Sequence, residues 1–277
     1  RIRMEKNLGI IGFGNMGQAI AERLRKKYKI FVFDKDKGKL KKIKGIRLAQ
    51  DNIDLVNKSE IIILAVKPQD FEGVLNEIKD YVKRKLLISI AAGITTQYIE
   101  KRLGKVRIIR TMPNLAIKIG KGLVCLCRGR YAKKKDLDFT KKLFSNLGKT
   151  LVMKEDLLDA VTAISGSGPG FFYDLIEGRP LKEINNYLEN VFVPTLALCA
   201  KAVGFNSRVS QTLAQSTARG SLAFLKKTRL SPAKLKKCVA SAGGTTEAGL
   251  MVLHRGGSLI QAVRAALRRA GELSRRV

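Results

Sequence analysis

The stretch Leu8-Gly9-Ile10-Ile11-Gly12-Phe13-Gly14-Asn15-Met16-Gly17 decides the fold of this 277-residue chain. A short apolar run ends there in three spaced glycines, and a helical pattern follows. Gly12 suits a tight turn, Gly14 leaves room for a pyrophosphate, and Gly17 lets the helix pack closely on the strand. The helix N-terminus adds N–H donors and a positive dipole end. The pattern predicts a dinucleotide-binding strand–turn–helix unit, the alternative being an ordinary unit packed through glycine.

A second predicted strand, Ile30 to Phe33, ends at Asp34, which lies 22 positions after Gly12. A carboxylate at about this spacing accepts hydrogen bonds from the ribose hydroxyls of a dinucleotide. Asp34 therefore favours NADH, since it would repel a 2′-phosphate. The neighbouring Lys35 and Lys37 can offset that repulsion, so NADPH remains an accepted alternative.

Strand-like and helix-like segments alternate as far as about Lys154. After Asp34 a basic helix or turn is predicted over 35–46. Further strands are predicted over 61–66, 86–90, 107–110, 123–127 and 150–153, with helices over 70–82, 96–103 and 137–147. Continuous apolar runs of strand length, such as Ile61 to Val66, are typical of a parallel sheet covered on both faces. We expect an α/β fold, with a doubly wound Rossmann-type sheet over residues 1–154.

Beyond Lys154 helical periodicity dominates, which predicts a mostly α-helical domain over residues 155–277. Helices are predicted over 157–165, 171–176, 181–198, 210–226, 233–240, 247–253 and 259–273. The glycine-rich stretch Ser241-Ala242-Gly243-Gly244-Thr245-Thr246 precedes one of them. Exposed N–H groups and hydroxyls there suit an anion, although a plain helix–helix turn is the alternative.

Composition narrows the class of protein. With 45% hydrophobic residues the chain is expected to be globular, and no apolar run approaches the ~18 residues of a membrane span. A cytoplasmic protein is expected, because the basic start leads directly into the first strand. Four cysteines without a CxxC pair, and a single histidine, predict free thiols and no metal site.

The formal net charge of +31 raises the question of nucleic-acid binding. The basic residues are spread over most of the predicted helices, however, and aromatic residues make up only 6%. A base-stacking surface is therefore poorly supported, and we expect no specific nucleic-acid partner, only nonspecific binding at low salt.

Several motifs together make the chain similar to the pyrroline-5-carboxylate reductase family, and they run in the family's order over nearly the whole length. They are the stretches 12–17 (GFGNMG), 65–69 (AVKPQ), 89–94 (SIAAGI), 112–114 (MPN), 165–169 (SGSGP) and 243–246 (GGTT). The first is shared with many reductases, whereas the last two in this order are specific.

The resemblance implies reduction of the cyclic imine 1-pyrroline-5-carboxylate to L-proline by NADPH or NADH. It implies that the substrate is held at the turn, with Thr246 bonded to the ring nitrogen as orienter or proton donor. The implied substrate-binding residues are Val239, Ser241, Gly243, Gly244, Thr245 and Thr246. The cofactor-binding residues expected are Gly12, Gly14, Asn15, Met16, Gly17, Asp34, Lys35, Val66, Lys67, Pro68, Ala91, Ala92 and Asn114. The resemblance also implies a homodimer or a ring of dimers, paired through the helical domain.

The chain departs from the family pattern in four places. Ala242 replaces the usual proline of the substrate turn, and Leu115-Ala116 replaces the usual Thr-Pro. Arg229 stands in or beside the position of a glutamate, and about 16 residues around Gly178 to Phe192 have no counterpart. These changes bear on efficiency and on packing of the oligomer more than on the reaction.

Two other functions fit the dinucleotide motif. One is a related reductase of another imine or of a hydroxy acid, but hydroxy-acid enzymes of this build generally carry a lysine base in the second domain's first helix, and Ala163 to Gly170 contains none. The other is a non-catalytic nucleotide-binding protein, which has no reason to keep Gly243 to Thr246.

Overall fold

A computed structural model describes residues 6–40 and 45–275. These residues form two compact units. The first contains the described residues up to Thr111 together with Leu126–Asn146, and the second contains Met112–Cys125 and the described residues from Leu147 onward. The domain boundary at residue 154 stays a prediction.

Eight strands form one sheet. They are β1 (Leu8–Ile11), β2 (Ile30–Phe33), β3 (Arg47–Leu48), β4 (Ile61–Leu64), β5 (Leu86–Ser89), β6 (Arg107–Pro113), β7 (Gly122–Arg128) and β8 (Gly148–Val152). Their order is β3-β2-β1-β4-β5-β6-β7-β8, and every neighbouring pair from β3 to β6 is parallel. The order 3-2-1-4-5-6 is that of a dinucleotide-binding sheet, so the predicted fold class is confirmed.

The central strands are apolar throughout because both of their faces are covered. Every residue of β1, β4 and β5 is buried. In register, Leu8 lies opposite Ile30 on one side and Ile61 on the other. The predicted continuous apolar strands are therefore the core of the first unit.

Five helices belong to the first unit: α1 (Asn15–Leu24), α2 (Asn52–Asn57), α3 (Pro68–Ile78), α4 (Thr96–Leu103) and α5 (Lys134–Phe144). Side chains of Asp51 and Thr95 cap α2 and α4 by accepting backbone N–H groups. Neither β3 nor α2 was predicted, because two and six residues are too short for a periodic signal. Of the predicted basic helix or turn at 35–46, Lys37–Leu40 forms a 3₁₀ turn and 41–44 lie outside the described residues.

The second unit is mainly helical, as predicted. Its helices are α6 (Leu158–Val161), α7 (Gly168–Leu175), α8 (Leu181–Tyr187), α9 (Val193–Ala202), α10 (Ser207–Thr228), α11 (Pro232–Val239), α12 (Thr245–His254) and α13 (Leu259–Arg275). Two π-helical turns lie between helices: Thr162–Gly166 lies between α6 and α7, and Leu188–Phe192 lies between α8 and α9. None of the described helices is both long and apolar enough to cross a membrane.

The segment around Gly178 to Phe192, which is expected from the sequence to have no family counterpart, is helical from Leu181 onward and contacts α10. The guanidinium of Arg219 donates to both carboxylate oxygens of Glu189 at 3.0 and 3.1 Å. Lys226 Nζ donates to the Asn185 amide oxygen at 3.1 Å. These polar contacts fix α8 and the following π turn against the longest helix of the second unit.

Candidate active site

The glycine turn between β1 and α1 has the geometry that the sequence predicted. Gly12 has a φ of +94°, and a Cβ there would lie 2.7 Å from the backbone of Ala65. A Cβ at Gly17 would collide with the carbonyl of Gly12, so the helix packs on the turn only through glycine. Apart from Gly14 itself and its two chain neighbours, no atom of the described residues lies within 4 Å of a Cβ placed at Gly14. The chain itself therefore does not require glycine at position 14, and the space beside it is available to a ligand.

Asp34 is turned back onto this loop. One carboxylate oxygen accepts the Phe13 N–H at 2.6 Å, and the other accepts the Asp36 N–H at 2.8 Å. Lys39 Nζ lies 3.2 Å from the same carboxylate, which is only 7% exposed. Burial alone would raise the pKa of Asp34, but these hydrogen bonds outweigh it and lower the pKa, so the side chain is ionised. Asp34 thus holds the glycine loop in place.

A cavity of about 860 Å³ opens at the carboxyl ends of β1, β2 and β4. Six of the predicted cofactor residues line it: Gly12, Gly14, Asp34, Lys35, Val66 and Lys67. The carboxyl edge of a parallel sheet, where the strand order reverses, is where dinucleotides bind in this type of fold. The volume is within the range of ligand sites, so the first unit fits a dinucleotide.

Sequence reasoning missed Asn52, which also lines this cavity. Its amide nitrogen donates to Glu77, its amide oxygen has no hydrogen-bond partner, and the residue is only 5% exposed. An unpaired buried acceptor is unfavourable unless a ligand or water completes it. The only sequence signal was the helix cap at Asp51, which gives no indication of a ligand.

The remaining predicted cofactor residues have mixed surroundings. Asn15, Met16 and Gly17 form the first turn of α1, and Pro68 is the first residue of α3. Ala91 follows β5, is buried, and donates its N–H to Ser89 Oγ at 3.3 Å. Their contact with a cofactor stays a prediction.

Asn114 belongs to the second unit and is fully engaged there. Its amide nitrogen donates to Ser165 Oγ at 3.1 Å, and its amide oxygen accepts the Leu123 N–H at 3.1 Å. The side chain is 1% exposed. Asn114 therefore joins the ends of β6 and β7 to the π-helical turn before α7, and its predicted contact with nicotinamide is untested.

Two of the motifs specific to the family meet within the second unit. Thr246 Oγ1 donates to Ser167 Oγ at 3.1 Å, and the Ser167 and Thr245 hydroxyl oxygens are 3.0 Å apart. Ser167 and Thr246 are 0% and 4% exposed. A Cβ at Gly170 would collide with Thr246, so α7 carries glycine where α12 approaches it. The result is a cluster of three hydroxyls at the start of α12, in which Ser167 and Thr246 are buried and Thr245 is half-buried.

The turn before α12 is held by polar contacts. Gly243 has a φ of +65°, a conformation that favours glycine. Its N–H donates to the Glu247 carboxylate at 2.7 Å, and its carbonyl accepts from Arg269 Nε at 2.7 Å. The N–H of Gly244 donates to the Ser241 carbonyl at 2.9 Å. Arg269, which no local sequence pattern marks, therefore holds the turn through the Gly243 carbonyl, and its guanidinium also pairs with Glu272 at 2.8 Å.

Because of these bonds, only some of the predicted substrate-binding residues have an N–H group left to donate to a ligand. The N–H groups of Gly243 and Gly244 are already used within the turn. The N–H groups of Thr245 and Thr246 lie in the first turn of α12, where a helix provides no acceptor, and no side chain caps that helix. An anion at this turn is best served by those two N–H groups together with the Ser241 hydroxyl.

The cysteines and the histidine are not arranged for metal binding. All four cysteines are free thiols, as predicted, and no group of three potential ligands exists in residues 6–40 and 45–275. Burial raises the pKa of Cys199 to about 11 and also strongly raises that of Cys125.

Comparison with protein families gives two matches. Residues 7–93 match the model described as NADP oxidoreductase, coenzyme F420-dependent, and residues 190–273 match that for pyrroline-5-carboxylate reductase dimerisation. The first covers the glycine turn and most of the cavity. The second covers α9 to α12 and most of α13.

Whole-chain relatives carry the same family name. The pyrroline-5-carboxylate reductase of Synechocystis is 36% identical over 99% of this chain and 100% of its own, and that of Aquifex aeolicus is 34% identical over 92% of each. The crystal structure of the Plasmodium falciparum enzyme with NADP bound has a TM-score of 0.64 and 28% identity, covering 97% of this chain and 98% of its own. The chain therefore belongs to the pyrroline-5-carboxylate reductase family.

Proposed function

We propose that this protein reduces 1-pyrroline-5-carboxylate to L-proline with NADPH or NADH as the reductant. The observation that carries the proposal is the position of the buried Thr246 hydroxyl. Thr246 lies at the start of α12, directly after the Ser241–Gly244 turn, and its hydroxyl is bonded to Ser167. This arrangement places anion donors and a hydroxyl together, and the substrate requires both. Its carboxylate needs N–H donors, and its ring nitrogen needs a hydrogen-bond partner.

The residues of the first unit fit the dinucleotide. Gly12 allows the tight turn, Gly14 leaves the backbone open to a pyrophosphate, and the N-terminus of α1 faces that charge. The unpaired Asn52 oxygen offers an acceptor to a hydroxyl or amino group of the adenosine half. The other cofactor residues proposed are Asn15, Met16, Gly17, Asp34, Lys35, Val66, Lys67, Pro68, Ala91, Ala92 and Asn114. The bound dinucleotide supplies the hydride that the reaction needs.

The second unit binds and orients the imine. Ser241 and the N–H groups of Thr245 and Thr246 hold the carboxylate, with Gly243 and Gly244 shaping the turn and Val239 lining it. Arg269, bonded to the Gly243 carbonyl, fixes the conformation of the turn. Positioning of this kind lowers the barrier because the reacting atoms are held in the correct geometry before reaction.

Thr246 orients the substrate nitrogen. A protonated imine nitrogen makes the adjacent carbon electrophilic, and the Thr246 hydroxyl can accept from that N–H while Ser167 fixes its position. After reduction the proton stays on the ring nitrogen of proline, so the chain needs no histidine base.

We also propose the organisation of the whole protein. Residues 1–154 bind the dinucleotide, and residues 155–277 bind the substrate and form a homodimer or a ring of dimers. The match of residues 190–273 to the dimerisation model supports pairing through the helical part of the chain.

Turnover tests the proposal directly. The purified protein is mixed with 1-pyrroline-5-carboxylate and NADPH or NADH, and both the oxidation of the cofactor and the appearance of proline are measured. Thr246→Ala should lower kcat by about 10- to 100-fold. Thr228→Ala, which removes a hydroxyl bonded within α10, is the matched control and should leave kcat unchanged. Folded wild-type protein that forms no proline with either cofactor would contradict the proposal.

A related imine or hydroxy-acid reductase is the second candidate. Oxidation of a hydroxy acid, like the reverse reduction of the keto acid, requires a group that transfers a proton from or to the substrate oxygen. The segment from Leu158 to Leu175, which brings Ser167 to the site, contains no lysine and no histidine. The same assay with 2- and 3-hydroxy acids and oxidised cofactor should therefore show no reaction.

A further inference from the structure

The two helices that flank the Ser241–Gly244 turn, α11 and α12, both contact helix α7. Its N-terminal cap Ser167 contacts the hydroxyls of Thr245 and Thr246. In its first turn Gly170 lies against Thr246 and against Val239, the last residue of α11, and a Cβ there would lie 3.5 Å from the Val239 side chain. A Cβ at Gly249 of α12 would collide with the Phe171 ring. The helices before and after the turn both pack on α7.

Asp174, near the other end of α7, bonds to both of these helices. One of its carboxylate oxygens accepts from Lys236 Nζ of α11 at 2.7 Å and lies 2.9 Å from His254 Nε2 of α12. Lys236 also donates to Glu177 at 2.8 Å. α11 ends at Val239 and α12 begins at Thr245, so the two partners of Asp174 lie on the two helices that flank the turn.

Asp174 is the most buried member of the charged cluster that it forms with Lys236, Glu177 and His254. Its side chain is 12% exposed and that of Lys236 is 20%, whereas Glu177 and His254 are 47% and 57% exposed. An ion pair between largely buried partners is much less screened than a surface pair. Loss of Asp174 therefore removes one polar contact to each flanking helix and leaves Lys236 only its bond to the more exposed Glu177, whereas loss of His254 removes only the more exposed contact.

The Ser241–Gly244 turn takes its conformation from contacts with the helices around it, to Glu247 of α12 and Arg269 of α13, and Ser241, Ala242 and Gly243 are themselves exposed. A flexible binding segment loses conformational entropy on binding, which lowers affinity. Fixing the two ends of the segment reduces that loss.

We propose that Asp174 is a positioning residue for substrate binding: through Lys236 and His254 it fixes the two helices that hold the Ser241–Gly244 turn. The inference rests on the proposed function of that turn as the site of the substrate carboxylate. It assigns Asp174 no contact with substrate or cofactor. Asp174 changes the affinity of the turn for the substrate carboxylate and not the binding of the dinucleotide.

The test compares three variants of the full chain. Asp174→Asn removes the charge, Lys236→Met removes the better buried partner, and Lys237→Met removes one positive charge from an exposed position of the same helix as the control. Tetrahydrofuran-2-carboxylate is the binding probe, because it has the ring size and carboxylate of the substrate but no ring nitrogen. Its Kd is measured by calorimetry, together with the KM for 1-pyrroline-5-carboxylate, kcat and the Kd for NADPH.

Asp174→Asn and Lys236→Met should each raise the Kd of the probe and the KM of the imine by about five-fold or more, while kcat changes by less than about two-fold. The Kd for NADPH and all properties of Lys237→Met should stay as in wild type. A merely structural role would lower the melting temperature or the active fraction without this separation of KM from kcat. The inference is overturned if both variants bind the probe as tightly as wild type. Failure of the wild type itself to reduce the imine would instead count against the proposed function.

Discussion

The hydroxyl of Thr246 lies 3.1 Å from Ser167 Oγ, although the two residues are 79 positions apart in the chain. Both side chains are buried, and Ser167 also contacts the Thr245 hydroxyl. The relationship connects the N-terminus of α7 with that of α12. It gives the Thr246 hydroxyl a fixed direction before any substrate binds.

Ser167→Ala should therefore lower kcat by about five- to twenty-fold with a smaller change in KM, because Thr246 keeps its hydroxyl but loses the bond that orients it. Steady-state kinetics with the imine measures both parameters. Ser221→Ala is the matched control, since the hydroxyl of that buried serine donates to the Thr217 carbonyl of its own helix. If Ser167→Ala kept the wild-type kcat, the orienting role would be wrong.

Gly14 and Gly17 should respond differently to alanine. Gly14 has φ −74° and ψ −168°, which any residue adopts, and a Cβ there meets no protein atom. Gly14→Ala should leave the free energy of unfolding within about 0.5 kcal/mol of wild type and weaken dinucleotide binding by about ten-fold or more. The Cβ would occupy the space needed by the pyrophosphate.

Gly17→Ala places its Cβ against the Gly12 carbonyl and should destabilise the protein by about 1–3 kcal/mol. Urea unfolding and titration of cofactor fluorescence measure the two effects. Equal loss of stability in both variants would contradict a ligand-based explanation for Gly14.

The glycine turn could be predicted from the sequence because its requirements are local. A positive φ at Gly12 and a close helix contact at Gly17 depend on residues a few positions away, or on the nearest strand. The buried strands were predictable for a similar reason, since β1 and β4 are apolar throughout.

The rest of the site depends on pairs that are far apart in the chain. The orientation of the Asn52 amide is set by Glu77, and the turn at Gly243 is held by Arg269, 26 positions later. No local pattern marks Glu77 or Arg269, because each lies on a helix where a charged residue ordinarily faces solvent. The same holds for Asp174, whose two partners are 62 and 80 positions away.

Choice between the two cofactors should depend on Lys39. Its amine lies 3.2 Å from the buried Asp34 carboxylate and lines the cavity, and Lys35 nearby is paired with Asp70 at 2.6 Å. Lys39→Ala should lower kcat/KM for NADPH by about five-fold or more and change that for NADH much less, because only NADPH carries a 2′-phosphate. Lys37 is expected from the sequence to offset the repulsion of a 2′-phosphate, but it is exposed on the same 3₁₀ turn and is not among the cavity-lining residues, so Lys37→Ala is the control.

Asp34→Ser tests the contribution of the negative charge that is paired with Lys39. It should move the ratio of kcat/KM values toward NADPH, since a negative charge beside the 2′-phosphate is removed. Affinity for both cofactors should also fall, because the Phe13 N–H loses its carboxylate acceptor. An unchanged ratio in both Lys39→Ala and Asp34→Ser would show that this corner of the cavity does not select the cofactor.

The ionised state of Asp174 should appear in the pH dependence of stability. Burial alone would raise its pKa, but the hydrogen bonds from Lys236 and His254 outweigh burial and lower the pKa below its ordinary value. A carboxyl group whose pKa is lower in the folded than in the unfolded state stabilises the fold above the unfolded pKa of about 3.9, and this contribution is lost as the pH falls through that value toward the folded pKa.

The free energy of unfolding of wild type, measured in urea, should therefore exceed that of Asp174→Asn at about pH 5, and the gap should narrow toward about pH 3. The other carboxyl groups are common to both proteins, so the difference reports on Asp174 together with Glu177, which shares Lys236 with it. A gap that is constant over this range would mean that the Asp174 carboxylate gains nothing from Lys236 and His254 on folding.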